Sequence, residues 1–428
     1  MDNENLNNID DKKKYKGAFS LSAVYTAAWG FAALDRLIIA MMLPFIMPYF
    51  GLNLTQGGLV VTMMAVGFLV CTVIFGAVSD KVGRKKITFP AIIIFSILSC
   101  VTGFVNSIAM LFVVRTVIGG AEGAYNSTTA AHITEVAPPH KRGAYLGAYN
   151  SAFALFGCCI APIYAMNVAS RWGWQMACYL TIIPGVILAI CAAIFVKESP
   201  RFVKGTQEYI AAQAAKNETR GKVSTIEVLK VRNVVVSILL VISFFVWDWS
   251  WLSFGTTYFT TGQGFTDAVS GNIMAVFGLG GFFGCIIMPR ISDKVGRKTL
   301  PPYAGAISFV MTLLIIFFPH GAVMYSVLLF IAAFFIWGVL PSIMLAMPSE
   351  SVKPEWVASA LGLVLGFGEV IGISSTSFLG AIGDATNLTT MMFVASFGCI
   401  AFIIISFFIK ETVPSAIARA EAKKLKKA

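Results

Sequence analysis

Twelve times along its length the sequence returns to an apolar run of roughly 20 residues, the length at which a helix crosses a hydrocarbon core. No other feature constrains the fold as strongly. Backbone N–H and C=O groups in lipid must be satisfied by the protein itself, which leaves helices or a closed barrel. The runs are too continuous for the alternating strands of a barrel. Spans are expected near residues 20–48, 57–79, 87–105, 110–133, 143–168, 174–196, 232–260, 268–289, 301–318, 322–346, 357–380 and 388–410. Composition points the same way: 57% of residues are hydrophobic and 12% charged, whereas soluble domains carry about 25% charged residues. The expected class is an all-α membrane protein with 12 transmembrane helices.

A formal net charge of +11 would suit a nucleic-acid binder, so the placement of the cations decides the matter. With both termini on the cytoplasmic side, 29 of the 32 lysines and arginines fall in the tails and in cytoplasmic loops. Arg36 and Arg115 fall within spans, and Arg171 faces the other way. This bias follows the positive-inside rule. The expectation is a multi-pass plasma membrane protein, in bacteria of the inner membrane, with both termini cytoplasmic. The basicity is then a property of membrane orientation and of attraction to anionic lipid. The lipid bilayer is the implied partner and no nucleic acid is. The eight cysteines form no Cys-x-x-Cys pair and fall almost entirely inside spans, which suits packing rather than disulfides or a metal site. No cofactor is implied. The first apolar stretch follows the Lys12–Lys14 run and is too long for a signal-peptide core.

An internal repeat organises the chain. Ser79-Asp80-Lys81-Val82-Gly83-Arg84-Lys85 recurs unchanged as Ser292-Asp293-Lys294-Val295-Gly296-Arg297-Lys298, an offset of 213. Lys197-Glu198 and Lys410-Glu411 share that offset, as do Asp35 and Asp248. Glu135 and Glu350 lie 215 apart, which leaves room for one small insertion. Six spans return each copy to its starting side, so the copies are parallel repeats. The expected organisation is a tail at 1–19, a six-helix bundle at 20–196, a linker at 197–231, a second bundle at 232–410 and a basic tail at 411–428. Short surface helices are expected in the linker and a basic amphipathic helix in the tail. The face between two such bundles is where alternating access would open and close a midplane site.

The Gly76…Asp80-Lys81-x-Gly83-Arg84-Lys85-Lys86 loop resembles the signature between helices 2 and 3 of the major facilitator superfamily. The second copy, with Asp293, Gly296 and Arg297, sits where that family has one, and Lys197-Glu198-Ser199-Pro200-Arg201 looks like its usual ending of helix 6. Gly76 would allow close helix contact, Asp80 can bond helix-terminal amides, and the cations anchor at the inner surface. A narrower resemblance lies in helices 1 and 4. Leu34-Asp35-Arg36-Leu37 with Ala40…Pro44 is similar to helix 1 of the anion:cation symporter group. That group includes bacterial hexonate and hexuronate importers and animal vesicular glutamate and sialic-acid carriers. Arg115-x-x-x-Gly119-Gly120-Ala121-Glu122-Gly123, then Ala137-Pro138-Pro139 and Arg142, looks like its helix 4. The C-terminal half matches only the superfamily.

Charges inside the membrane mark candidate function. Asp35, Arg36, Arg115, Glu122 and Asp248 fall mid-span, with Glu369 in helix 11 a sixth. At roughly 2.5–3.5 kcal/mol each on insertion scales, the set would cost about 15 kcal/mol unpartnered, so its members must pair, line water or titrate. Arg115 and Glu122 are two turns apart on one face of helix 4. One reading is a structural ion pair holding helix 4 to helix 1. The other has Arg36 or Arg115 clamp a substrate carboxylate, because a guanidinium fork stays charged and matches two oxygens. The resemblance implies that role for both arginines, and a proton-coupling role for Glu122 and Asp35. Asp248 is the repeat counterpart of Asp35, yet Trp249 stands where Arg36 would be. The Trp247-Asp248-Trp249-Ser250-Trp251 cluster suits a cavity lining or helix packing equally. Glu369 is a second proton site or a helix contact. Tyr25, Asn126, Asn150 and Ser151 offer contacts to a polyhydroxylated acid, or interhelical hydrogen bonds. His132, His140 and His320 are given no chemistry.

The expected function is secondary active transport: proton-coupled symport, that is uptake, of a small organic anion such as a sugar acid or other carboxylate. A monomer is expected. The alternative is a drug/proton antiporter exporting apolar or cationic compounds, against which the intramembrane arginines count. No nucleophile–base set or metal cluster suggests an enzyme. A linker of this size is too small for a sensor's output domain.

Overall fold

The structure, a computed structural model, describes residues 17–138, 142–204, 209, 211, 225–319, 321–353, 356–413 and 416–418. Among these, every regular element is a helix. Twelve are long and apolar enough to cross a membrane: α1 (Ala18–Met41), α2 (Leu54–Val82), α3 (Lys85–Thr102), α4 (Ile108–Val136), α5 (Tyr145–Trp172), α6 (Trp174–Phe195), α7 (Arg232–Gly262), α8 (Asp267–Val295), α9 (Leu300–Phe317), α10 (Ala322–Ser351), α11 (Ser359–Ala385) and α12 (Leu388–Ser406). The protein is a multi-pass membrane protein. On α6 the exposed side chains Ile183, Ile187, Ile190 and Ile194 recur at helical spacing and form a stripe suited to hydrocarbon.

Most spans lie where hydropathy puts them, and the departures have local causes. The expected 20–48 span is two pieces, α1 and a short helix Leu43–Phe50. The break falls at Met42, just before Pro44, whose ring nitrogen cannot donate into the preceding turn. Gly51, at φ +65°, ends the short helix in a left-handed cap. Helix α2 runs on to Val82 and α8 to Val295, beyond their expected ends at 79 and 289. Hydropathy marks where lipid ends, whereas main-chain hydrogen bonding continues through Asp80-Lys81 and Asp293-Lys294. Helices α5, α7 and α10 each contain a wider π-helical turn, at Phe153–Ile160, Tyr258–Gly262 and Ser342–Ala346. Such turns mark a local register change in the hydrogen-bond ladder.

The described residues form two compact units. One is drawn from Met1–Arg36, Val66–Gly157 and Gln175–Gly221, the other from Leu37–Ala65, Cys158–Trp174 and Lys222–Ala428. In the first unit α2 presses closely on α4. An added Cβ at Gly120 would lie 2.9 Å from Cys71 Sγ, and one at Gly123 would lie 2.7 Å from Thr72 Oγ1. Small residues let the two backbones approach, as membrane helices require.

The second unit joins α7–α12 to the far ends of α1 and α2 and part of α5. Asp384 near the end of α11 accepts the backbone N–H groups of Leu54 and Thr55 at 2.8 and 2.9 Å and the Thr55 hydroxyl at 2.6 Å. A carboxylate from α11 thus caps the N-terminus of α2. One turn and more along, Thr62 Oγ1 lies 2.9 Å from Ser377 Oγ, and an added Cβ at Gly58 would meet the Thr376 carbonyl at 2.6 Å.

Of the expected linker, a 3-10 turn at Pro200–Phe202 and a short helix at Thr225–Leu229 are described. The rest of its expected surface helices, nearly all of the basic tail helix, the tail before Gly17, Pro139, His140 and His320 lie outside the described residues.

Candidate functional site

Four charged side chains from α1 and α4 meet inside the first unit, all buried. Glu122 is fully enclosed; its Oε2 accepts Arg36 Nε at 3.1 Å and lies 3.0 Å from Arg36 Nη2. Its Oε1 is buried without a hydrogen-bond partner. Arg36 also sits in an aromatic box: its guanidinium lies 4.1 Å from the Phe68 ring centre on α2, 5.7 Å from Trp29 on α1 and 6.0 Å from Phe153 on α5. Ring faces attract a cation and offer little competition for its N–H groups. The π-helical turn of α5 supplies Phe153, and its Phe156 packs against Gly30, where an added Cβ would come within 2.6 Å of the ring.

Arg115 behaves differently. Its Nη2 donates to the Arg36 carbonyl at 2.9 Å and its Nη1 to the Asp35 carbonyl at 3.4 Å, with the Asp35 carboxylate 3.9 Å away. A fully buried guanidinium therefore grips the α1 backbone at the two residues that carry the other charges. Sequence spacing puts Arg115 and Glu122 on one face of α4, and both reach α1, Glu122 at the Arg36 guanidinium and Arg115 at the Asp35 and Arg36 carbonyls.

Nearer the N-terminal end of α1 is a polar chain. The Tyr25 hydroxyl lies 2.8 Å from His132 Nδ1 and 2.9 Å from Thr88 Oγ1, and the Tyr125 hydroxyl donates to the Tyr25 carbonyl at 2.8 Å. Ten helical residues, about 15 Å of rise, separate Tyr25 from Asp35. Asn126 accepts the Tyr149 hydroxyl at 2.9 Å, and Tyr149 stacks on Trp29 with ring centres 5.5 Å apart. Asn126 thus adjoins the aromatic box. Asn150 and Ser151 donate to Leu146 and Ala148 carbonyls of their own helix.

In the second unit Asp248 is buried on α7 and accepts Trp337 Nε1 of α10 at 2.7 Å. No lysine or arginine among the described residues forms an ion pair with it. Trp247 donates to Thr312 on α9 at 3.0 Å, so that ring is committed to helix packing; Trp249 is buried beside it. Glu369 is half-buried on α11.

The repeated loop builds the same cluster twice. Arg84 reaches Asp80 and Glu135, each at 2.7 Å, and Ser79 Oγ at 2.6 Å, while Glu198 accepts the Arg84 and Lys85 amides at 2.7 and 3.2 Å. Arg297 reaches Asp293 at 2.6 Å, Glu350 at 2.9 Å and Ser292 at 3.2 Å, while Glu411 accepts the Arg297 and Lys298 amides at 2.9 and 3.1 Å. Gly83 and Gly296 take φ of +119° and +120°, a region that side chains avoid. At Gly83 an added Cβ would also come within 2.7 Å of Glu198 Oε2. Burial opposes the Arg84 charge, yet Glu135 and Asp80 outweigh it and hold the guanidinium above its ordinary value. Two details differ from expectation. The helix-terminal amides belong to Glu198, not Asp80. Gly76 is not crowded, since an added Cβ would lie an ordinary 3.7 Å from Ser127.

A duplicated loop–helix–carboxylate cluster on paired sets of six spans accompanies a direct sequence match: the family model of the Major Facilitator Superfamily covers residues 26–370. The chain belongs to this superfamily. Superfamily structures share its fold. A bacterial homologue of the human lysosomal transporter Spinster aligns with TM-score 0.72 at 18% identity, covering 95% of this chain and 96% of that one. A D-xylose-proton symporter aligns with TM-score 0.72 at 18% identity, covering 93% and 98%.

Among curated superfamily relatives, a hexuronate transporter of Bacillus subtilis is 27% identical over 269 residues, 62% of each chain. A probable sulfoacetate transporter of Cupriavidus necator is 25% identical over 399 residues, 90% of this chain and 92% of that one. A glucose transporter of Staphylococcus epidermidis is 31% identical over 195 residues, 46% and 43%. The match thus spans less than two thirds of the hexuronate and glucose transporters. The relatives and solved structures named above are all described as transporters or symporters.

Three parts of this superfamily site were not legible beforehand. His132 gave no sign of its tie to Tyr25, although a histidine within a span is a signal in itself. The box around Arg36 draws rings from α1, α2 and α5, and nothing in the sequence separates Phe68 or Phe153 from other apolar side chains. Trp337 as the partner of Asp248 lies 89 residues away and has no motif.

Proposed function

We propose that the protein carries out proton-coupled symport of a small organic anion, a sugar acid or comparable carboxylate, by alternating access. In this reading it sits in the plasma membrane, the bacterial inner membrane, with both termini cytoplasmic. The observation that carries the proposal is the Arg36–Glu122 pair inside an aromatic box, with one Glu122 oxygen left over.

Arg36 is the substrate cation. Its edge contact to Glu122 uses one carboxylate oxygen, so a bidentate substrate carboxylate competes well for the same fork. Glu122, once displaced from its cation in a water-poor site, favours its neutral form and takes up a proton. Anion and proton then enter together and leave together, and the Arg36–Glu122 pair re-forms in the empty carrier. Arg115 is a positioning residue: substrate could engage it only by stripping its bonds to the α1 carbonyls. Asp35, 3.9 Å from Arg115, balances that cation and is the second proton group. Tyr149 and Asn126 flank the box and suit hydroxyls of a sugar acid. The names of the hexuronate and sulfoacetate relatives support an anionic substrate.

One observation favours a second reading. Two arginines facing two carboxylates leave the cluster without net charge, which also suits a neutral sugar carried with a proton. The names of the glucose transporter and D-xylose-proton symporter fit it. Uptake into proteoliposomes with an imposed pH gradient separates the two. Gradient-driven accumulation of glucuronate or another sugar acid, not of glucose or xylose, is expected. Accumulation of neutral sugars alone would replace the anion reading, and uptake of every acid independent of the gradient would sink proton coupling.

A further inference from the structure

A groove of about 510 Å³ runs between α2, α3 and α4, apart from the charged cluster. Its floor is made where small residues thin the helices, at Gly67, Gly120, Ala121 and Ala124. Its rim is branched and apolar; Val70 and Val117 are 49% and 48% exposed. Cys71 and Thr116 also line it, and the Thr116 hydroxyl is spent on the Phe112 carbonyl of its own helix at 2.8 Å. The one charged side chain at the groove is Lys86, at its end.

The dimensions match one leaflet. From Lys86 to Ile94 the wall on α3 rises about 12 Å, at 1.5 Å per residue. Half of a hydrocarbon core of about 30 Å is about 15 Å. The groove therefore begins near the middle of the bilayer and ends where α3 starts, at the level of lipid headgroups. Its volume lies in the usual range of small-molecule sites, about 300–1,000 Å³.

The ammonium at the headgroup end is available. Of the cations in the loop, Arg84 is bound by Asp80 and Glu135, and Lys85 Nζ donates to the Ala193 carbonyl at 3.2 Å. Lys86 is exposed, and no carboxylate among the described residues pairs with it.

The geometry points to a binding site for one anionic phospholipid, with an acyl chain in the α2–α3–α4 groove and its phosphate on Lys86. The charge at one end and the leaflet-deep apolar channel behind it together select this occupant. An uncharged hydrophobic solute would have no use for Lys86, and a partner helix is distinguished by the test below. A lipid held here bridges the cation loop and the α2–α4 contact, where Gly67, Gly120 and Gly123 bring the backbones together.

The test is native mass spectrometry of the detergent-purified full chain titrated with phosphatidylglycerol and phosphatidylethanolamine of identical acyl chains. The wild type is expected to retain phosphatidylglycerol about fivefold better, the factor that one lysine near an anionic surface supplies. Lys86→Gln should erase that preference and Lys86→Arg should keep it. Val117→Trp, which fills the groove from an exposed position, should reduce retention of both lipids. Equal retention of the two lipids by the wild type would overturn the proposal. So would a preference that survives Lys86→Gln, undiminished binding in Val117→Trp, or a co-purifying protein chain that lipid cannot displace.

Discussion

Glu198 accepts the backbone N–H of Arg84 at 2.7 Å, although 114 residues separate them. Glu411 does the same for Arg297 at 2.9 Å, so the last residues of each repeat cap the first turn of that repeat's third helix. Three of the four sequence matches between the copies, the seven-residue loop, the closing Lys-Glu and the glutamate near the end of the fourth helix, are parts of this cluster, while the fourth, Asp35 and Asp248, lies outside it. Removing a capping carboxylate costs about 0.5–2 kcal/mol. Glu198→Ala and Glu411→Ala should each lower the thermal midpoint of purified protein. The double variant should show nearly additive loss, because the clusters share no residue.

Glu122→Gln keeps an oxygen for Arg36 but cannot take up a proton. Counterflow exchange of substrate across proteoliposomes should persist in this variant, while accumulation driven by a pH gradient is lost. Loss of both, with binding intact, would move the proton role away from Glu122.

The two arginines should fail in different ways. Arg115→Ala removes one partner of a buried network and should cost about 3–5 kcal/mol of stability, seen as a large fall in thermal midpoint with or without substrate. Arg36→Ala strands the buried Glu122, whose uptake of a proton should limit the loss of stability, and should abolish the substrate-induced thermal shift. Arg36→Lys should bind weakly, because a point charge lacks the fork. Equal midpoints for the two alanine variants would argue against separate roles.

Asp248 uses one oxygen to accept the Trp337 N–H and pairs with no cation among the described residues. Asp248→Asn supplies an equivalent acceptor, so transport and midpoint should stay close to wild type. Trp337→Phe strands the carboxylate at a cost of about 1–3 kcal/mol. A gradient-uncoupled Asp248→Asn variant would instead make Asp248 a proton site.

The Asp384 cap on α2 must break if α2 and α11 separate during the transport cycle. Cysteines at Thr55 and Asp384 should stop transport when oxidised and restore it on reduction, with each single variant unaffected. Transport that continues through the crosslink would show that this contact stays closed.

The sequence by itself determined that the chain carries twelve apolar spans, that a seven-residue loop recurs at an offset of 213, and which charged residues fall inside the spans. These are properties of order along the chain: run length and offset. It did not determine which charge meets which. The seven-residue spacing of Arg115 and Glu122 places both toward α1, yet adjacent α1 residues divide them, Arg36 taking Glu122 and Arg115 lying against Asp35 and the α1 carbonyls. That choice depends on the rotation and depth of α1 against α4, with α1 packed at Gly30 on Phe156 of α5 and at Arg36 on rings from α2 and α5. Hydropathy is blind to rotation about a helix axis, so only the packed tertiary structure could assign the partners.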